Sequence, residues 1–156
     1  MIFLTSSTIA STAASASSIV FLFDVTLTLT SPSFAEFPDE KIHEAFTMAQ
    51  EIYDLKMCSL QSFDMDNLIR THKAFPELAI MLTCGHHDEL VDKSLELGFD
   101  IDMAIGGITP ELVKDFHDKG LKVALWTANT KEALDYCVSL GVDYIESDLF
   151  ANEKGE

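Results

Sequence analysis

Arginine is almost missing from this chain: Arg70 is the only one, and ten basic residues face 26 acidic ones, for a formal charge of −16. A surface that acidic repels polyanions, which excludes nucleic acid and an anionic membrane face as partners. It also excludes a phosphate grip built from local guanidinium groups, so a phosphate ligand here requires a bound metal. Long apolar runs are missing too. No stretch of about 18 residues lacks polar side chains, and no membrane span is expected. Cys58, Cys84 and Cys137 are odd in number and form no C-x-x-C pair. That argues against a disulfide framework or a zinc site. They read as buried free thiols in a reducing compartment, and a cytoplasmic location is expected. Residues 1–18 carry no charge, and thirteen of them are Ser, Thr or Ala. Their small-residue stretch precedes the apolar run 19–23, the reverse of a secretory signal's order, so the segment is expected to be poorly ordered.

What is present is a repeating unit. At 156 residues the chain makes one domain by length. Its continuous apolar runs of strand length belong to strands buried on both faces. The first strand is expected at 19–25, with others at 57–61, 78–82, 99–104, 121–126 and 142–146. From residue 57 the starts differ by 21, 21, 22 and 21 residues. Between the strands, apolar residues recur at helical spacing. Ile42, Ala45, Phe46, Ala49, Ile52 and Tyr53 mark a helix opened by Phe37-Pro38. Asp64 caps the next, Gly98 stops the one over 88–98, Thr109-Pro110 starts another, and Asn129 or Thr130 caps the last. Alternation at this spacing gives an α/β fold of parallel βα units joined by right-handed crossovers. An open doubly wound sheet and a barrel both satisfy it. In either, ligands collect at the carboxyl ends of the strands.

The residues after each strand are therefore the candidates. Trp126, the only tryptophan, and Asn129 lie after 121–126; the pair offers an aromatic wall for a substrate, or a sheet cap and a helix cap. Residues 84–89, Cys-Gly-His-His-Asp-Glu, hold potential ligands, but adjacent loop histidines diverge, and Asp88 and Glu89 suit a helix start. Asp24 ends an apolar strand, where an unpartnered carboxylate is costly and a ligand or helix amides must receive it. His43, His72 and His117 read as helix residues without a catalytic partner.

Residues 120–129, GLKVALWTAN, followed by LGVDYIESD, resemble the end of the glycerophosphodiester phosphodiesterase family, with Ser147 in place of a characteristic Thr. Gln61-Ser62-Phe63-Asp64, Phe75-Pro76-Glu77-Leu78, Asp100-x-Asp102 and Thr109-Pro110-Glu111-Leu112-Val113 extend the likeness over roughly residues 38–150. The resemblance implies the later portion of a TIM-type barrel, incomplete here because the closed fold takes about 250 residues. It divides the chain into a low-complexity segment 1–18, a partial barrel 19–150 and a tail 151–156. Trp126, Asn129, Ser62 and Phe63 then become substrate-binding residues. The family's metal, Mg or Ca, implies Asp24 as a ligand, where the family has the Glu of a Glu-x-Lys strand end and this chain has Asp24-Val25-Thr26. The implied reaction cleaves a small-molecule glycerophosphodiester to an alcohol and glycerol 3-phosphate, with a metal screening the phosphate and a histidine pair as acid and base. The family's His-Arg-Gly, Pro-Glu-Asn-Thr, Glu-x-Asp and His-Asp motifs do not occur in this sequence. No catalytic residue is assigned, and the chain alone is expected to be inactive.

Two other readings compete. FLFDVTLT resembles the first motif of haloacid-dehalogenase-like phosphatases, with Thr127 as a second-motif residue, but the later lysine and acidic pair would have to follow Asp148, where only Lys154 and a short acidic tail remain. A non-catalytic barrel portion could instead act as a binding or assembly module. Open sheet edges invite a homo-oligomer.

Overall fold

The computed structural model describes residues 2–5, 25–29, 39–51 and 54–148. Among these residues, seven strands form one sheet in sequence order: β1 (Ile2–Thr5), β2 (Val25–Leu29), β3 (Cys58–Ser62), β4 (Ala79–Cys84), β5 (Asp100–Ala104), β6 (Val123–Trp126) and β7 (Tyr144–Ile145). From β2 to β7 each strand lies parallel to its neighbour, and β1 runs antiparallel to β2. Between them lie α1 (Asp39–Gln50), α2 (Met65–Ala74), α3 (Glu89–Leu97), α4 (Pro110–Asp118) and α5 (Lys131–Leu140). A doubly wound sheet reverses strand order at a switch point, and this one does not. The architecture is the wall of an incomplete TIM-type barrel.

Helices α2 to α5 each start where a short polar side chain takes up free backbone N–H groups. Asp64 Oδ1 accepts from the backbone of Asp66 (2.9 Å) and Asn67 (3.2 Å), and Asp88 Oδ1 from Leu90 (2.9 Å) and Val91 (3.3 Å). Thr109 does the same for Leu112 at 3.2 Å. At α5 the cap is Thr130, which accepts from Ala133 at 3.2 Å; Asn129, read as a possible cap, turns elsewhere. Gly98 and Gly141 end α3 and α5 in the left-handed region, at φ 76° and 70°, where a Cβ would be strained.

Alternation along the strands then sorts the two faces. Leu60, Leu82, Ile101, Met103, Val123 and Leu125 share one buried core with helix residues such as Leu68, Val91, Phe116 and Cys137. The three cysteines are all buried. Below this core, Asp143 Oδ2 accepts from Val123 N at 2.9 Å and meets His117 Nε2 at 3.0 Å, while Asp100 Oδ1 accepts from Lys122 N at 2.8 Å. These bonds fix the amino ends of β5, β6 and β7 in register.

Three expectations need adjusting. The strand read at 19–25 is described only from Val25, and it continues to Leu29 because the parallel register pairs Val25 with Cys58 and Thr28 with Gln61. Residues 19–24, Ile52 and Tyr53 lie outside the described residues. Within 1–18, expected to lack order, Ile2–Thr5 forms β1; Ile, Phe and Leu favour strands, and the edge of β2 offers unpaired backbone groups to satisfy. The last strand shortens to two residues. Among the described residues, no helix is long and apolar enough to cross a membrane.

Candidate functional site at the carboxyl ends of the strands

The strand ends of β3 and β6 bring two of the expected binding residues together. Phe63 follows β3 and is 56% exposed; its ring meets Trp126 edge to face, with centroids 6.4 Å apart. The Trp126 indole Nε1 donates to the Asp102 carbonyl at 3.4 Å, which holds the ring against the end of β5. Together they form an aromatic ledge with an open face. Ser62 sits beneath it, but its hydroxyl oxygen accepts the Asp64 backbone N–H at 3.0 Å and so shapes the turn into α2.

Asn129 lies on the other side of Trp126 and reaches over the end of β7. Its Nδ2 donates to Asp148 Oδ2 at 2.8 Å, while its Oδ1 accepts from Asp148 N at 2.9 Å and Ser147 Oγ at 3.2 Å. Both ends of the amide are committed to this loop. Asn129 is thereby the clasp between the two most recognisable segments of the sequence, and it borders the ledge without joining the aromatic pair.

The loop after β4 stays apart from the ledge. His87 Nε2 bonds Asp92 Oδ1 at 2.7 Å, and His86 Nε2 lies 4.0 Å from Asp88 Oδ2, so each histidine answers to an acid on or beside α3. Burial, then the negative charges of Asp102 and Asp88, push the Cys84 thiol up to about 12 and disfavour its thiolate. Asp24 lies outside the described residues. Among the described residues, no three His, Cys, Asp or Glu side chains gather as a metal site. They do not fit the metal that the resemblance implies.

Sequence reasoning missed a polar layer under the ledge. Gln61, Thr83 and Asp102 occupy the strand positions that alternate with the core leucines and isoleucines, and Glu146 follows β7; all four are buried. Gln61 Nε2 donates to Asp102 Oδ2 and, at 3.3 Å, to Glu146 Oε1. Burial, and then the Glu146 carboxylate, hold Asp102 well above the usual carboxylate range, against hydrogen bonds from Gln61 and the Thr83 side chain that favour its ionised form. The signal was an acid inside each of two apolar strand runs, residues 99–104 and 142–146.

Solved structures with the same architecture come from distant sequences. A Galdieria sulphuraria protein assigned to the glycerophosphodiester phosphodiesterases aligns at TM-score 0.69 and 19% identity, covering 81% of this chain and 54% of its own. A glycerophosphodiester phosphodiesterase from Parabacteroides distasonis gives 0.65 and 22%, covering 80% and 52%. An Oleispira antarctica phosphodiesterase, solved in complex with the product sn-glycerol-3-phosphate, gives 0.61 and 18%, covering 70% and 46%. At these identities the likeness establishes fold alone. The chain spans about half the length of these structures. A search of curated protein sequences returns no match. The model of the glycerophosphoryl diester phosphodiesterase family, however, matches residues 22–150, and this match sets aside the phosphatase alternative. With most of its length covered by that model, the chain belongs to the glycerophosphoryl diester phosphodiesterase family.

Proposed function

We propose that this chain supplies one wall of a glycerophosphodiester site and does not hydrolyse the diester by itself. The observation that carries this reading is the open Phe63–Trp126 ledge at the carboxyl ends of β3 and β6, where barrel folds place their ligands. Its exposed ring faces suit the organic portion of a small diester. Ser62 and Asn129 act on the substrate through the ledge, one by shaping the turn that carries Phe63 and the other by fixing the loop beside Trp126. In the family's reaction a divalent cation, Mg or Ca, screens the phosphate, with Asp24 as this chain's candidate ligand. Inactivity is supported by the sequence: the His-Arg-Gly, Pro-Glu-Asn-Thr, Glu-x-Asp and His-Asp motifs are missing from it, and one carboxylate neither fixes a metal nor replaces general acid catalysis. Among the described residues no strand pairs with the outer edge of β7, which supports association through that edge, as in a homo-oligomer.

Trp126 is the only tryptophan, so its fluorescence reports on the ledge directly. Titration with a glycerophosphodiester is expected to change the emission saturably, and Phe63→Ala to weaken the response about tenfold. An emission indifferent to the diester in the folded protein contradicts the binding role.

A further inference from the structure

The Phe63 and Trp126 rings stand at 79° to one another with centroids 6.4 Å apart, so their faces wall a right-angled corner that is open at Phe63. The two rings bring no spare hydrogen-bond donor. A phenyl ring has none, and the indole Nε1 is spent on the Asp102 carbonyl. Asn129, beside Trp126, directs its amide to the loop after β7. What the corner offers an incoming group is therefore the negative face of two π systems, strongest at the tryptophan.

The surroundings carry the same sign. The stretches that run from a strand end through the first turn of the next helix, 63–68, 85–92, 105–113 and 127–134, each contain an acid, as do residues 146–148 after β7. Only one of them contains a lysine, Lys131, and its Nζ is paired with Asp135 Oδ2 at 2.5 Å. His86 and His87 lie in 85–92, each beside an acid. With a formal charge of −16 on the whole chain, this end of the sheet draws cations and repels anions. A bare ammonium is strongly hydrated and needs an acceptor for each N–H, which ring faces do not replace. A methylated ammonium carries its charge under methyl groups, gives up its water easily and packs against aromatic faces. We infer that the Phe63–Trp126 corner receives a methylated ammonium group, as the charged end of the diester's alcohol. That the group belongs to a diester rests on the function proposed above; its capture by the corner does not.

Tetramethylammonium chloride, titrated into the whole 156-residue chain at constant ionic strength, tests this against tert-butanol, an uncharged molecule of similar size. Trp126 emission and calorimetry follow both. Tetramethylammonium is expected to bind saturably and at least about threefold more tightly than tert-butanol. Phe63→Leu keeps apolar bulk at an exposed position and removes one ring. It should weaken tetramethylammonium at least about threefold and leave tert-butanol within about twofold of the parent. The inference is overturned if tetramethylammonium does not bind, or binds no more tightly than tert-butanol. It is also overturned if Phe63→Leu leaves tetramethylammonium unchanged or weakens both probes alike, the mark of a merely apolar ledge. A diester titration separates this inference from the reading it deepens. Phe63-dependent binding of a diester with an uncharged alcohol, without capture of tetramethylammonium, overturns the cation preference and leaves the proposed wall standing. Capture of tetramethylammonium without binding of any diester supports the ammonium site and contradicts the proposed function.

Discussion

Asn129 grips Asp148 at two points: its Nδ2 donates to the carboxylate at 2.8 Å and its Oδ1 accepts the backbone N–H at 2.9 Å, across 19 residues of chain. With the Ser147 hydroxyl on the same Oδ1, one side chain ties the loop after β7 to the corner after β6. Asn129→Ala removes all three bonds at once. The variant is expected to lose about 1–3 kcal/mol in urea unfolding, the range for a few partly exposed hydrogen bonds. Its Trp126 emission should shift to the red as the corner loosens. A variant as stable as the parent, with unchanged emission, contradicts the clasp.

How much of this was legible in the sequence differs by layer. The 21-residue register pointed to the parallel βα units, and local residues placed the caps at Asp64 and Thr109 and a helix start at Asp88. The choice between Asn129 and Thr130 was not local. Either can cap a helix, and what decides is that the loop after β7 returns to Asn129, a contact no spacing reveals. The strand read at 19–25 rested on an apolar run, whereas β2 is described over Val25–Leu29, where alternating threonines pair with β3. The polar layer was hidden for another reason. In strands buried on both faces, apolar residues fill both phases of the alternation, so the pattern did not show which face Asp102, inside the run 99–104, and Glu146, at the end of 142–146, would take; both are buried.

Gly107 is a test of how the loops after β4 and β5 pack. A Cβ placed there would sit 2.5 Å from the Gly85 carbonyl oxygen and 2.7 Å from His86 Cα, both backbone atoms that a side-chain rotation cannot clear. Gly107→Ala is expected to cost about 1–3 kcal/mol in stability. Gly106→Ala, with nothing within 4 Å of the added atom, should stay within about 0.5 kcal/mol of the parent. Equal effects at the two glycines would show that the loops are not in contact.

Asp102 makes stability depend on pH in a direction opposite to that of a salt-bridged acid. In buffer with a chelator, the folded chain keeps the Asp102 proton to higher pH than the unfolded chain, because burial and Glu146 disfavour its charge. Below the ordinary carboxylate pKa, about 4, the full contribution is present. As pH rises from there through the raised folded value, the folded state binds more protons than the unfolded one and stability falls. Unfolding free energies of the parent and Asp102→Asn, measured from about pH 4 to about pH 8, should diverge in favour of the variant as pH rises. A difference that is flat, or that favours the parent at high pH, contradicts the assignment.

The central claim is that this chain has the family's wall without the family's chemistry. It is tested most directly by incubating the pure 156-residue protein with a glycerophosphodiester in the presence of Mg²⁺ or Ca²⁺ and measuring sn-glycerol 3-phosphate. The account predicts no release above the protein-free control, even where the Trp126 titration shows that the diester binds. Metal-dependent release of sn-glycerol 3-phosphate by this chain alone would contradict it.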